Sequence, residues 1–300
     1  MDAAAGSPVG IRHPLLRVLV YGHVWLALGA AAQVWWMQTM MMVNERRAPL
    51  LAFCGTFVFY AFMRMARMDH PGPGASPHLR WCRRHKRAML VSAALLSIAA
   101  AILVWSVRME VLRLLWPAAS IALFYVIPMR FTGGRALGLR HVPGVKAFLI
   151  AFVWASTSQG LASAFVPGDL DRVVWLVPWL LQFASFLSLA IVFDLRDLPH
   201  DPLPLRTIPQ VLGARASKWI AVMLQLPWLL FLVAAMVIDT GSGEGSGVYH
   251  LRLLMPSLGI ALTMLLIMRS SAQRSEAYYL LGIDGMLILV PLLGWVGRLL

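Results

Sequence analysis

The sequence predicts an all-α polytopic membrane protein, and three observations predict it. Hydrophobic residues make up 60% of the 300 positions, with 12 Trp and 17 Met, and the mean hydropathy is +0.73. A soluble domain of this size would need far more polar surface. Apolar runs long enough to cross a bilayer as helices, about 20 residues each, occupy nearly the whole chain. Lys and Arg gather in every second connection, as they do when loops alternate between the two faces of a membrane.

About nine spans are expected, at roughly 15–43, 48–68, 87–106, 110–128, 145–166, 171–194, 215–238, 251–269 and 276–297. They form one domain over residues 1–300, arranged around a central cavity. In the first, Leu26-Ala-Leu-Gly-Ala-Ala-Ala32 has the small residues of a secretory cleavage site. The apolar run continues through Trp35, Trp36 and Met40, however, as a retained helix would. The second span ends in Tyr60-Ala-Phe-Met-Arg64-Met-Ala-Arg67-Met-Asp69. After it, Asp69-His-Pro-Gly-Pro-Gly-Ala-Ser-Pro77 cannot stay helical. The basic run Arg80-Trp-Cys-Arg-Arg-His-Lys-Arg87 then reads as a topology anchor or, alternatively, as a contact for an anionic substrate. Between spans seven and eight, Thr240-Gly-Ser-Gly-Glu-Gly-Ser-Gly247 is a flexible connection.

With nine spans, the side that holds the N-terminus carries 19 Lys and Arg and the other side 7. The N-terminus and the loop after span six are therefore expected in the cytoplasm, and the protein in a bacterial inner membrane. The net charge of +13 fits a basic rim beside anionic lipid and calls for no nucleic acid. The two cysteines, Cys54 and Cys82, have no framework or metal-ligand spacing and read as bystanders. His23 and His70 read as solvated or core residues, since neither has a ligand nearby in sequence.

Acids are scarce, yet three of the 13 fall in Asp194-Leu-Arg-Asp197-Leu-Pro-His-Asp201. On a helix, positions 194, 197 and 201 lie within roughly 60° of one another, although Pro199 is expected to end the helix before Asp201. Such a face admits three readings: a water-facing helix end, a salt-bridged gate, or a divalent metal site. Magnesium takes one or two carboxylates and leaves its other positions to water and phosphate oxygens, which suits a diphosphate. A shift of 130 residues lays Arg64 and Arg67 on Asp194 and Asp197. The two helix ends are thus expected either to meet across a cavity or, for the arginines, simply to snorkel.

Phe193-Asp194-Leu-Arg-Asp197-Leu-Pro-His-Asp201, followed by Arg206-Thr-Ile-Pro-Gln-Val-Leu-Gly213, resembles the second aspartate-rich motif of the UbiA superfamily of intramembrane prenyltransferases. Phe124-Tyr125-Val-Ile-Pro128-Met-Arg130 and Leu139-Arg140-His-Val-Pro143-Gly-Val-Lys146 resemble further segments of that superfamily, in the same order. The resemblance implies transfer of a prenyl group from a polyprenyl diphosphate to a lipophilic acceptor. It makes Asp194, Asp197 and Asp201 the catalytic acids and ligands of Mg2+. Arg64, Arg67, Arg130, Lys146 and Arg196 become the cationic contacts of the diphosphate. The first motif of the superfamily, Asn-Asp-x-x-Asp-x-x-x-Asp, is absent: the end of span two offers only Asp69. Arginine then either replaces that motif or neutralises the second, and a non-catalytic lipid-binding, transport or scaffold protein is the alternative.

Other polar residues lie inside the spans. Asp284 falls about 12 Å into span nine at 1.5 Å per residue and needs a partner, for which an Arg on span two is expected. Ser156-Thr-Ser-Gln159, Gln182, Ser185 and Ser188 are expected to bond helix to helix rather than to catalyse. Most Trp residues read as interfacial belts, with a few available to line a prenyl tunnel.

Overall fold

The computed structural model describes residues 11–68, 77–126, 129–130, 136–137, 139, 142–164, 172–199, 201–242 and 247–299. Most of these are helical, joined by short turns and connections, with two paired two-residue strands, β1 (Met129–Arg130) and β2 (Ala136–Leu137). The helices are α1 (Pro14–Tyr21), α2 (Val24–Met40), α3 (Arg47–Met68), α4 (Pro77–Arg84), α5 (Lys86–Trp105) and α6 (Met109–Val126). They continue as α7 (Lys146–Ser163), α8 (Arg172–Asp197), α9 (Ile208–Met223), α10 (Leu226–Ser242), α11 (Gly247–Arg269) and α12 (Met286–Leu299).

The first expected span is two helices, α1 and α2, bent by 58°. The break follows from two residues. Gly22 caps α1 by donating its N–H to Val18 O at 3.0 Å, where a Cβ would strike that same carbonyl. His23 then takes a left-handed conformation, φ 64°, which non-glycine residues adopt rarely. Span seven is likewise longer and jointed: it starts at Ile208, and α9 passes into α10 at Leu224 and Gln225. Ahead of α12, residues Tyr278–Ile283 form a π-helical turn that delivers Asp284 to the start of the last helix.

Among the described residues six helices are long and apolar enough to cross a membrane, or seven if α1 and α2 count as one span. The expected nine is not reached by that test. The two that fall outside it are α6 and α7, of 18 residues each. In α7 the polar run Ser156–Gln159 lowers the hydropathy that the flanking residues supply. The chain is a multi-pass helical membrane protein, and its outer face agrees: Leu95, Ile98 and Ile102 of α5 are about 60% or more exposed, which lipid rewards and water would not.

Helix contacts close a ring in the order α2, α7, α8, α9 with α10, α11, α12 and back to α2, with α3, α5 and α6 packed outside it. Small residues set the close approaches, as is usual where lipid gives no hydrophobic drive between helices. Gly294 of α12 lies directly against the Trp36 ring of α2, and Gly29 of α2 against Leu287 of α12. Several polar residues of the spans bond between helices as expected, while Ser158 donates back to Trp154 O and Ala155 O of its own helix. Gln182 Nε2 donates to Gln33 Oε1 at 3.2 Å, and Ser185 Oγ to Gln225 Oε1 at 3.0 Å. Ser188 Oγ donates to Ala221 O at 2.6 Å, and Trp179 Nε1 to Ser156 Oγ at 3.1 Å. Gln33, Gln182, Gln225, Trp36 and Trp228 border a cavity of about 30 Å³, room for two or so waters.

Candidate functional site

The site is built where α8 ends and α7 begins. Asp194 lies in the last turn of α8 and is 2% exposed, enclosed with Leu195 and Ile191 in the same wall. Pro199 does stop the helix, since α8 ends at Asp197. Even so, the Asp201 N–H still donates to Asp197 O at 2.9 Å. One more turn of near-helical chain therefore swings Asp201 back onto the face of Asp194, instead of releasing it to the loop as Pro199 suggested.

The backbone beyond is fastened at two points. Gly144, with φ +71°, donates its N–H to Leu205 O at 2.9 Å, which ties the approach to α7 to the loop after α8. Gln210, in the first turn of α9, accepts from Thr207 N at 3.0 Å, the reciprocal half of an N-terminal capping box. Its Nε2 donates to Asp201 O at 3.1 Å and Pro202 O at 3.3 Å. The Arg206–Gly213 stretch thus has a structural account: it opens α9 and holds Asp201 in place.

Lys146, the first residue of α7, answers the acids. Its Nζ is 2.7 Å from Asp194 Oδ1 and 3.1 Å from Asp201 Oδ2. Asp197 is paired by its neighbour: Arg196 Nε lies 2.7 Å from Oδ1, and Nη2 donates to Oδ2 at 3.1 Å. The guanidinium also faces the rings of Phe193, at 4.9 Å, and Tyr279, at 5.7 Å, a placement that cation–π attraction favours. The charge of Arg196 reaches Asp284 as well. That charge comes from α8; an arginine of span two was the expected partner, and the side chain of one of the two, Arg67, lies outside the described residues. Three carboxylates against Lys146 and Arg196 leave one net negative charge.

Arg64 meets a histidine of α4. Its Nη2 lies 3.1 Å from His78 Nδ1, and His78 Nε2 lies 3.1 Å from Tyr21 O. Since guanidinium can only donate, Nδ1 accepts and Nε2 carries the proton. Burial and the charge of Arg64 push the His78 pKa down to about 2, so the ring stays neutral. Cys82 Sγ donates to the same Tyr21 carbonyl at 3.6 Å, and burial raises its thiol to about 11. His23, His78 and Cys82 bring their ligand atoms within 4.8 Å of one another. Neither His23 nor Cys82 is thus the isolated residue its sequence surroundings indicated. The side chains of Arg67 and Arg130, together with Asp69 and His70, lie outside the described residues.

Magnesium, which the resemblance implies, can be tested against this donor set. Three carboxylates are the hard oxygen donors that it takes, so the chemistry fits. The point between Asp194 and Asp201 is held by an ammonium, however. A divalent ion about 3 Å from that charge would be repelled by roughly 10 kcal/mol at an effective dielectric of 20. Metal at this point therefore requires Lys146 to move.

No protein-family model matches the sequence, and no curated protein matches it either. Solved structures do. A UbiA homolog from Aeropyrum pernix K1, in its apo form, superposes with a TM-score of 0.59 at 12% identity, over 96% of this chain and 98% of that one. A UbiA homolog from Archaeoglobus fulgidus bound to GPP and Mg2+ gives 0.54 at 10% identity, over 95% and 100%. A structure of digeranylgeranylglyceryl phosphate synthase gives 0.53 at 13%, over 95% and 98%. The chain has the UbiA fold over essentially its whole length.

Proposed function

We propose that this chain transfers a prenyl group from a polyprenyl diphosphate to a lipophilic acceptor inside the membrane, an aromatic acceptor being the first to try. One observation carries the reading. At a single helix mouth of a UbiA fold, three acids and two cations meet, with the rings of Phe193 and Tyr279 against the Arg196 guanidinium. The neighbour from Archaeoglobus fulgidus, which shares that fold, binds GPP with Mg2+. Lys146 and Arg196 offer N–H donors for the phosphate oxygens. Asp194, Asp197 and Asp201 would hold Mg2+, which when bound neutralises charge on the diphosphate.

In the step itself the bond between the prenyl carbon and oxygen breaks, and its electron pair leaves with the diphosphate. Donors aimed at that developing charge lower the barrier. The allylic cation accepts electrons from the acceptor, which then releases a proton. Water must be kept out meanwhile, and the apolar wall of α7, α8 and the π turn does that. The excess of Lys and Arg in the loops on this side supports a cytoplasmic face for this mouth.

A second reading rests on its own observation. Each of the three acids already meets a cation, as in a sealed, non-catalytic lipid-binding or scaffold protein. Membranes containing the protein, supplied with Mg2+ and radiolabelled geranyl, farnesyl or geranylgeranyl diphosphate, separate the two. Transfer of label into lipid extracts is expected, with Asp197→Asn reducing it about 100-fold. Absence of turnover with every chain length would favour the scaffold.

A further inference from the structure

Lys146 occupies the point where a cation belongs. Oxygens of Asp194 and Asp201 converge on its Nζ at 2.7 and 3.1 Å, and only 17% of its side chain and 3% of that of Asp194 meet solvent. Both ends of the bridge are fixed through the backbone, by Gly144 N–H to Leu205 O and by Gln210 Nε2 to Asp201 O. Arg196 is committed elsewhere, to Asp197 and two aromatic faces.

We infer that Lys146 is an internal counter-ion that keeps divalent metal out of the acid cluster until a diphosphate arrives to receive its ammonium, so that metal and diphosphate bind together. The inference rests on the diphosphate reading above. Two cations cannot share one point in a site with little water, so an incoming metal must displace the ammonium. Once displaced, that ammonium has lost two carboxylates and needs another anion nearby. The diphosphate is such an anion, and the lysine stem has the rotational freedom to follow it. Free metal brings no substitute and is refused. The arrangement keeps each acid paired with a cation when substrate is absent, and it loads metal only where there is a leaving group to assist.

The test uses the full chain in detergent, with Mn2+ as a paramagnetic stand-in for magnesium and geranyl thiolodiphosphate as a non-cleavable ligand. Protein-bound Mn2+ is read by electron paramagnetic resonance. The unmutated protein should hold Mn2+ at least tenfold more tightly when the thiolodiphosphate is present. Lys146→Met should bind Mn2+ alone at least tenfold more tightly than the unmutated protein, and lose the dependence on the ligand. The double variant Lys146→Met/Asp194→Asn, which restores the charge balance, should lose that Mn2+ again. Equal Mn2+ affinity in the unmutated protein with and without ligand overturns the inference, and this arm needs no variant to fold. If isothermal titration shows that neither protein binds the thiolodiphosphate, the diphosphate reading fails together with the inference; if the ligand binds and Mn2+ affinity is unchanged, the inference alone fails.

Discussion

At Lys146 a single ammonium serves two carboxylates, one of them almost fully buried, and the asymmetry of such a bridge is open to measurement. Removing one partner of a buried pair is costly because the other charge is left without compensation. Asp201 and Lys146 keep some contact with water, so the loss lies at the low end of that range. Lys146→Met is expected to destabilise by about 3 kcal/mol, and Lys146→Met/Asp194→Asn to recover most of it, as read by thermal unfolding in detergent. An undiminished loss in the double variant would mean that the lysine stem, through its packing, matters more than its charge.

His78 gives a second prediction at the same scale. Its folded pKa is pushed down to about 2 from 6.5, so the unfolded chain takes up a proton that the folded one refuses. The stabilising contribution is complete above pH 6.5 and is lost as pH falls towards 2. Between pH 7 and pH 5.5 this amounts to about 1 kcal/mol. His78→Gln should flatten that part of the stability profile relative to the unmutated protein. Parallel profiles would place the proton uptake on other groups.

Among the elements, α9 shows how a motif can work through the backbone. Gln210 caps its own helix and holds the carbonyls of Asp201 and Pro202, so Gln210→Ala should cost about 1 kcal/mol of stability. It should also weaken geranyl thiolodiphosphate binding several-fold, because Asp201 would no longer be held facing Lys146. An unchanged affinity, measured by isothermal titration, would show that the loop is positioned by Gly144 and Leu205 alone. The start of this element was legible in Pro209 inside the first turn and in the Thr207 to Gln210 spacing, although span seven was expected only from about 215. The bend at Gly22 and His23 was not, because apolar composition continues unbroken through it. The short helix α4 was hidden too, since its charged residues read as a basic connection.

For the whole molecule, the ring of helices is set by small residues at close approaches. Gly294 faces the Trp36 ring, which in turn borders the central cavity. Gly294→Ala should push that ring inwards, at a cost of about 2 kcal/mol, and should impair prenyl transfer more for long chains than for short ones. Equal impairment at all lengths, measured with the labelled diphosphate series, would detach the cavity from the chain-binding path.

The sequence by itself determined the helices, their membrane setting and the acid triad. Hydrophobic run length and the three-residue and four-residue spacings are local properties, written wherever a helix forms. The tertiary structure alone decided which charges meet. Lys146 is 48 residues from Asp194, and His23, His78 and Cys82 gather from α4 and the junction of α1 with α2. Coulomb attraction and hydrogen bonding act through distances in space, and only the closed ring of helices sets those distances.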